Sequence, residues 1–282
     1  MVESGGLENR CARKGTEGSN PSPSASSARV PLAVIADSNL YARGNATLLA
    51  SWDAYARGSA GAELHRLDGV AAAVFPSEPE RGVFNNALLD RGAGAAAIDA
   101  MEAAYRAAGV ERFAAWVHES DEGMHAELRR RGYTVDTTTR AMGMSLSEIP
   151  SHGSVADVAT ARWTDHLDHL EAAGVPEGLL RGADPTAFHV LTGRADGEDV
   201  ATAIALDHEG DCGIYNVSTL EAARRRGLGT ALTVRLLRDG AARGCTTASL
   251  QSTEIAERVY ASAGFRDLGR FIEYVPALIR SG

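Results

Sequence analysis

An internal repeat constrains the fold of this chain more than any other feature. Gly132 followed by Tyr133 in one stretch matches Gly264 followed by Phe265 in another, 132 positions later. In both stretches a short helical segment comes before the glycine and a strand-like run follows the aromatic residue. A further strand-like run ("RFAAWVHES" and "TTASLQST") and an Ala-rich helical pattern precede each helical segment. Because similar units at a fixed spacing indicate a duplicated structure, we predict two copies of one αβ unit.

The chain divides at a short polar segment between the two copies. Residues 145–154 ("SLSEIPSHGS") contain Pro150 and Gly153, which are typical of a linker. We therefore predict one domain at 31–147 and a second at 155–282. Residues 1–30 are rich in Gly, Ser and Pro and show no hydrophobic period, so we expect a disordered tail there.

The order of elements in the second half indicates the fold class. A helical segment ("ATARWTDHLDHLEAAG") is followed by three strand-like runs joined by short turns, one of which contains the Asp-Gly pair typical of a hairpin. A helix, a strand, a helix and a strand come next. This order predicts an α+β fold in which helices flank a mixed central β-sheet.

The junction "EAARRRGLGTALTVRLL", after the third strand-like run, has the features of an anion site. Leu228, Ala231 and Leu232 begin the three- and four-residue spacing of a helix with one buried face. The first N–H groups of a helix have no partner within it, and the helix dipole places partial positive charge at that end. Gly227 and Gly229 let the backbone approach a ligand closely, so we predict a phosphate-binding turn.

Two common nucleotide motifs do not fit this turn. A Walker loop needs Gly-Lys-Ser/Thr, whereas Gly229 is followed directly by Thr230. A dinucleotide fingerprint needs Gly or Ala three residues after its second glycine, where this chain has Leu232. In the first half, "RGAGAAA" matches a lone Gly-x-Gly-x-x-Ala pattern, which we interpret as an Ala- and Gly-rich helix start.

The net charge and the cysteine content limit the kinds of partner and metal site that the sequence predicts. The formal net charge of −9 argues against a general nucleic-acid binder, and no apolar run approaches the ~20 residues of a membrane span. Cys11, Cys212 and Cys245 show no CxxC spacing, so we expect a reducing cytoplasm and no zinc cluster. His166 and His169 share a helical face but have no evident third ligand, so we expect no metal.

The second half, over about residues 155–275, resembles the GCN5-related N-acetyltransferases. The Arg-x-x-Gly-x-Gly pattern that begins at Arg224 resembles the pyrophosphate-binding signature of that family, and the Tyr-x-x-x-Gly-Phe pattern that begins at Tyr260 resembles its later motif. The resemblance implies the acyl-CoA N-acyltransferase fold, in two tandem copies here, with acetyl-CoA as co-substrate. The cofactor-binding residues that it implies are Val217, Ser218, Thr219, Arg224, Arg225, Arg226, Gly227, Leu228, Gly229, Thr230 and Thr253.

The same resemblance implies a mechanism. The strand "IYNVST" would be splayed from its neighbour, so that backbone groups around Val217 and Thr219 bind the pantetheine arm. The N–H group of Val217 would polarise the thioester carbonyl, and Tyr260 would act as general acid towards the leaving thiolate. The group that takes the amine proton is left open among His166, His169, Glu171, Asp207 and His208.

A shift of 132 positions compares the two copies at the predicted site. Tyr260 aligns with Leu128, and the two glycines of the turn align with Ala95 and Ala97. The first copy therefore lacks both the acid and the phosphate-binding glycines. We predict a degenerate, non-catalytic first copy that packs against the second and helps to shape the substrate cleft.

These observations predict an N-acetyltransferase that moves an acetyl group from acetyl-CoA to an amine by direct attack, with the second half catalytic. The acceptor is left open among a small amine, an antibiotic, a peptide N-terminus and a protein lysine. The alternatives are a non-catalytic acyl-CoA-binding or regulatory module, and an acyltransferase with a hydroxyl acceptor or a longer acyl donor. We expect a cytoplasmic protein without nucleic-acid or membrane partners, and its oligomeric state is left open.

Overall fold

One mixed β-sheet runs through the part of the chain that the computed structural model describes, residues 35–78, 84–150, 156–174 and 178–277. Runs such as "VAAAV" at Val70–Val74 are buried on both faces, because helices pack on each side of the sheet. The predicted α+β fold with a mixed central sheet flanked by helices is confirmed. The tail predicted at 1–30 lies outside the described residues.

The described residues include eleven strands and six α-helices. The strands are β1 (Glu63–Leu67), β2 (Val70–Val74), β3 (Asn86–Leu89), β4 (Ala114–His118), β5 (Thr134–Ser145), β6 (Asp157–Thr160), β7 (His189–Ala195), β8 (Glu198–His208), β9 (Asp211–Thr219), β10 (Thr247–Ser252) and β11 (Arg266–Val275). The helices are α1 (Asp37–Arg57), α2 (Ala95–Ala107), α3 (Glu122–Arg130), α4 (Trp163–Ala172), α5 (Leu228–Ala242) and α6 (Glu257–Ser262).

The αβ unit occurs twice, as the repeat predicts. The order α2, β4, α3 and β5 in the first half recurs as α5, β10, α6 and β11 in the second. Gly132 and Gly264, which follow α3 and α6, have φ values of +85° and +102°, and this left-handed conformation is open to glycine without strain. The aromatic residue after each glycine is buried.

The last strands of the two copies are exchanged. The strand order is β1-β2-β3-β4-β11-β5-β10-β9-β8-β7-β6, with parallel pairs only at β3/β4 and β9/β10 among the described strands. β5 of the first half pairs with β10 and β11, and β11 of the second half pairs with β4 and β5. Each of these strands therefore makes all of its described ladder contacts with the other copy. The described strands of the two ranges predicted as domains, 31–147 and 155–282, all belong to one sheet.

Three hydrophobic clusters cover the two faces of the sheet. On one face, α1 of the first half and α4 of the second contribute to a single cluster that includes Leu48 and Leu170. On the other face, α5 packs over the second half through Leu232, and α2 packs over the first half through Ile98. The shared cluster thus joins the two halves, whereas each half keeps a core of its own on the opposite face.

Local differences from the sequence prediction occur around the junction of the halves. Ala159 and Thr160, predicted to be helical, lie in the edge strand β6, which pairs with β7. Helix α4 begins only at Trp163, where the carboxylate of Asp165 accepts a hydrogen bond from the N–H group of Arg162. In the predicted linker, Leu146–Glu148 form a 3₁₀ turn, and residues 151–155 lie outside the described part of the chain.

Candidate functional site

Strands β9 and β10 are paired at one end and separated at the other. Their parallel ladder contains three residue pairs, from Asp211 with Thr247 to Gly213 with Ser249. The buried carboxylate of Asp211 accepts hydrogen bonds of 2.6 Å from the hydroxyls of Thr247 and Ser249. Beyond this closed end β9 continues to Thr219, while β10 stays paired with β5 on its other side. The backbone of β9 after Gly213 therefore faces an open wedge between the two strands.

A β-bulge changes the direction of β9 inside the wedge. The register with β8 shifts between Tyr215 and Ser218, so that Asn216 and Val217 together face one residue of β8. Asn216 has a φ of +51°, a conformation that costs a non-glycine residue about 1–3 kcal/mol and is concentrated at functional sites. Tyr215 packs with the α1/α4 cluster and Val217 with the α5 cluster. The bulge therefore places the side chains of Tyr215 and Val217, which would share a face in a regular strand, on opposite faces of the sheet.

Helix α5 begins next to this bulge. Arg225 and Gly227 have φ values of +64° and +80°, and no side chain caps the helix. The carbonyl of Gly227 accepts the hydrogen bond of the Ala231 N–H group, which leaves the N–H groups of the first turn for an outside acceptor. A methyl group placed on Gly229 would lie 3.9 Å from a methyl of Val217, so the first turn contacts the bulge. Such a helix start binds anions.

The arginines before α5 are exposed and differ in their contacts. Arg224 Nε donates a hydrogen bond of 3.2 Å to the carbonyl of Thr219, which ties the loop to the end of β9. Arg226 forms an exposed ion pair of 2.8 Å with Asp196 in the β7–β8 hairpin. Exposed pairs of this kind contribute at most about 1 kcal/mol, so Arg226 can exchange Asp196 for a phosphate at little cost.

The other expected cofactor contacts surround the same wedge. Leu228 is buried in the α5 cluster, and Thr230 lies half-buried in the first turn of that helix. Ser218 Oγ lies 3.2 Å from Nε2 of His169. Thr253 is exposed directly after β10 and lines a cleft together with Asn216.

Tyr260 is a buried residue of α6. Its ring meets Phe265 edge-on, with ring centroids 6.1 Å apart, and belongs to the α5 cluster. Burial raises the pKa of its phenol to about 12. Since a thiol has a pKa of about 8.5, complete proton transfer from this phenol to a thiolate is uphill, whereas donation of a hydrogen bond is not. Among the described residues its hydroxyl has no hydrogen-bond partner. Tyr260 also does not line either of the two cavities at the open end of the wedge, which are formed by other residues.

The two histidines considered as proton acceptors lie on α4, away from those cavities. His166 is fully buried, its Nδ1 lies 2.9 Å from Thr202 Oγ1, and burial lowers its pKa to about 4. Burial also lowers the pKa of His169. Both rings are therefore neutral at pH 7, and each is bound to a strand hydroxyl.

The other three proton-acceptor candidates lie on β8 and near the end of α4. Asp207 forms an ion pair with Arg243, and His208 is paired with Asp211 at the closed end. Glu171 pairs with Arg181 at the surface. The structure does not bring any of these residues to the cavities at the open end.

Two cavities meet at the open end of the wedge, on the α1/α4 side of the sheet. The first, of about 220 Å³, is called here the aromatic cavity because Trp52, Tyr55, Phe75, Phe84, Trp116 and Tyr215 line it. The second, of about 790 Å³, is called the carboxylate cleft and is lined by residues that include Asp136, Thr139, Thr253 and Glu273. Asn86, Trp116 and Asn216 line both, so the bulge of β9 stands where the two spaces join.

Glu273 is a functional candidate that sequence reasoning missed. It lies on β11 opposite Trp116 of β4, is only 7% exposed, and accepts a hydrogen bond of 3.1 Å from Thr139 Oγ1. Burial, with a smaller contribution from Asp136, raises the pKa of its carboxyl to about 7. The available signal was a lone carboxylate inside the apolar run "FIEYV". A carboxyl that titrates near pH 7 beside a cavity suits a general base.

The matching turn of the first half differs in the loop before its helix, although α2, like α5, has no side-chain cap. Gly94 before α2 has an ordinary φ of −81°, and the N–H group of Gly92 is occupied by the carboxylate of Asp121 at 2.8 Å. Leu128, at the position of Tyr260, is fully buried. The loop before α2 thus holds the carboxylate of Asp121 at one of its backbone N–H groups.

Neither described cysteine is a nucleophile. Burial raises the pKa of the Cys245 thiol to about 11 and that of Cys212 well above its usual value, so both thiols stay protonated. In the described part of the chain, no three His, Cys, Asp or Glu side chains are grouped so that they could hold a metal ion. None of the helices in the same ranges is long and apolar enough to cross a membrane.

Comparison with known families adds a sequence match to this geometry. Residues 126–252 match the model of the acetyltransferase (GNAT) domain. This part of the chain is therefore similar to the GNAT acetyltransferase domain. The match to the GNAT model begins in α3 and ends at β10, so it includes the exchanged strand β5, the bulge and the turn before α5, but not Tyr260. A comparison with curated proteins found no significant match.

Solved structures share the GNAT fold at low sequence identity. A GCN5-related N-acetyltransferase from Kribbella flavida is 19% identical, with a TM-score of 0.60 over 81% of this chain and 95% of that one. One from Sphaerobacter thermophilus is 15% identical, with a TM-score of 0.55 over 86% and 93%. A tandem GNAT protein from the clavulanic acid biosynthesis pathway is 13% identical, with a TM-score of 0.52 over 73% and 77%. These identities support the fold alone.

Proposed function

We propose that this protein is an acetyl-CoA-dependent N-acetyltransferase of the GNAT family whose second half is catalytic. The observation that carries the proposal is the wedge between β9 and β10, which combines an unpaired strand edge, a bulge at Asn216 and an uncapped helix start. A linear ligand with a peptide-like arm and a pyrophosphate matches these features in order. The arm would extend the sheet beside β9, and the pyrophosphate would accept N–H groups of the turn before α5.

The bulge would position the reacting carbonyl. It takes Val217 out of register with β8, so that its N–H group would be available in the wedge as an oxyanion donor. Thr253 on the opposite side of the wedge would contact the arm through its hydroxyl. Donors fixed by the sheet in this way need no reorganisation when negative charge develops on the thioester oxygen.

Glu273 is the proton acceptor that we assign to the reaction. A neutral amine attacks the thioester carbon, the C–N bond forms, the C–S bond breaks, and its electron pair leaves with sulfur. The proton lost from nitrogen goes to the Glu273 carboxylate, which is ionised in about half of the molecules at pH 7. Tyr260 would stabilise the departing thiolate by donating a hydrogen bond, because its pKa of about 12 keeps the phenol protonated.

The first half would contribute to the acceptor site rather than to chemistry. In its own loop Asp121 accepts a hydrogen bond from the Gly92 N–H group, and Leu128 replaces the tyrosine. Five of the six aromatic residues of the aromatic cavity nevertheless come from it, including Trp52 and Trp116. The degenerate copy therefore builds the wall against which the acceptor would lie.

Thiol release from acetyl-CoA, measured with a panel of amines and checked by mass spectrometry of the products, tests the proposal. Wild type should release CoA only when an amine is present, and Gly227→Glu should abolish acetyl-CoA binding because it adds bulk and an anion to the turn. Binding of acetyl-CoA without turnover for any acceptor would instead establish a binding module. Faster turnover with hydroxyl acceptors or longer acyl donors would identify a different transferase.

A further inference from the structure

The exchanged strand β5 forms part of the wall of the carboxylate cleft. Asp136, Thr137 and Thr139 of this strand line the cleft together with Glu273 of β11. β5 belongs to the first half, in which the turn and the tyrosine of the second half have no counterpart. The first half therefore reaches the carboxyl that we assign as the proton acceptor, although it supplies no reacting group of its own.

The carboxyl of Glu273 receives one hydrogen bond within the described residues. Thr137 is its partner across the β5–β11 ladder, and Thr139 lies two residues further along β5, at the diagonal position of the same face. The hydroxyl of Thr139 donates a hydrogen bond of 3.1 Å to Oε1 of Glu273. Because the side chain of Glu273 is almost completely buried, little water reaches its charge, and this hydrogen bond favours the ionised form. Oε2 is left to take a proton from the cleft.

A β-bulge brings Asp136 into the same cleft. Glu273 pairs with Thr137 and Tyr274 pairs with Val135, so Asp136 is the extra residue of β5 at this point. In a regular strand Asp136 and Thr137 would point to opposite faces, yet both line the cleft. Burial raises the pKa of Glu273 most, and the negative charge of Asp136 raises it further.

The other charged side chains around Glu273 lie towards β4. Glu111 and Arg112, which precede that strand, line the cleft and carry opposite charges. The partner of Glu273 on β4 is the uncharged Trp116. The cleft residues from β9 and from the end of β10 are uncharged, and no described residue of α1, which packs on this face, lines the cleft. Asp136 is therefore the charged neighbour of Glu273 that β5 supplies.

We propose that β5, which the first half contributes, controls how readily Glu273 takes up the amine proton: the Thr139 hydroxyl stabilises the carboxylate, and Asp136 in the bulge opposes its ionisation. The inference rests on the proposed function for the part that Glu273 plays in the reaction. Thr139 and Asp136 are positioning residues, because they act through Glu273 and exchange no atom with the substrate. Their opposite effects allow a carboxyl within an apolar strand to change its charge near neutral pH.

NMR of isotope-labelled glutamate carboxyl carbons measures the titration of Glu273 directly, and the signal that disappears in Glu273→Gln assigns it. Thr139→Val should raise the midpoint of this titration by about one pH unit, because it removes a hydrogen bond to a charged group. Thr139→Ser keeps the hydroxyl and should restore the wild-type midpoint. Thr137→Val removes a hydroxyl that lies opposite Glu273 without bonding it within the described residues. It is the matched control and should leave the midpoint unchanged.

Asp136→Asn tests the second half of the proposal. It should lower the midpoint, because a negative charge beside Glu273 is removed. Salt at about 1 M shortens the Debye length to about 3 Å, so the effect of Asp136→Asn should shrink there while that of Thr139→Val persists. An unchanged midpoint in Thr139→Val or in Asp136→Asn, or midpoints that move in the same direction in both, would overturn the inference.

The pH dependence of kcat/KM separates this inference from the proposed function. At pH 7, Thr139→Val should be about fivefold slower, since the ionised fraction of Glu273 falls from about half to about a tenth, and the rate should recover at higher pH. A loss caused by altered packing alone would not recover. Midpoints that move as expected without any turnover, or with a rate profile that does not follow them, would support control by β5 and overturn the proposed reaction through Glu273. Turnover with unmoved midpoints would overturn the inference and leave the reaction standing.

Discussion

Replacement of Glu273 by glutamine gives a direct test of the carboxylate cleft, because it predicts a stability that depends on pH. The wild-type carboxyl has a pKa of about 7 in the folded protein, raised by burial, against an ordinary value of 4.5. Glutamine keeps the shape and can still accept the hydrogen bond from Thr139, but it cannot ionise. If the difference in the free energy of unfolding between wild type and Glu273→Gln changes with pH, that change therefore reports the ionisation of Glu273.

The sign and the size of this pH dependence follow from the linkage between proton binding and folding. A group whose pKa is raised on folding favours the folded state when it is protonated, so its contribution is fully present below pH 4.5 and is lost as the pH rises through 7. Each pH unit in this interval changes the free energy of unfolding by about 1.4 kcal/mol, which gives about 3 kcal/mol in total. Between pH 4.5 and pH 8, the free energy of unfolding of Glu273→Gln should therefore rise by about 3 kcal/mol relative to that of wild type.

Urea denaturation of both proteins at intervals from pH 4.5 to pH 9 measures this difference. Glu254→Gln, which removes an exposed carboxylate near the same site, is the control and should show a difference that stays within about 0.5 kcal/mol throughout. A difference for Glu273→Gln that does not change with pH would refute the raised pKa, and with it the role of this carboxyl as a base near neutrality.

Three further outcomes test the wedge and its surroundings. Gly229→Ala should stabilise helix α5 by about 0.5–1 kcal/mol because a methyl group fits there, yet weaken acetyl-CoA binding at least about tenfold by blocking backbone approach; Gly123→Ala in α3, where a methyl also fits, should raise the melting temperature alone. Tyr260→Phe should lower kcat by about tenfold or more with little change in acetyl-CoA affinity, and an unchanged kcat would remove the phenol from the reaction. Asp211→Ala should lower the free energy of unfolding, measured by urea denaturation, by about 2–4 kcal/mol because it leaves two buried hydroxyls unpaired. A decrease under about 0.5 kcal/mol would contradict the role of Asp211 in holding β9 and β10 together.

Local patterns were enough to predict much of the second half. The Asp-Gly turn, the run of strands and the Gly-rich helix start all depend on neighbouring residues, and β7, β8, β9 and α5 occur where the sequence indicates them. The left-handed φ of Gly227 likewise belongs to the turn itself. The repeat was predictable because Gly132 and Gly264 end equivalent helices.

Contacts between distant parts of the chain were not predictable in the same way. The residues around β5 do not indicate that it pairs with β10 of the second half and not with a strand of the first half, because strand register depends on partners far away in sequence. Glu273 was missed for the same reason, since its burial depends on β4 and β5 on either side. The aromatic cavity joins residues of α1, β4 and β9, which no local motif brings together.

The exchange of β5 and β11 has a consequence for how such a chain arose. A single ancestral unit would have had its last strand paired only with a second copy, because each of these strands bonds the other half alone. A separate unit of this kind would depend on a symmetric dimer, and joining two units makes that concentration-dependent assembly one within a molecule. Identical subunits must carry the same residues at both active sites. In a joined chain, one half can differ at its site while the strand that it lends still completes the sheet of the other.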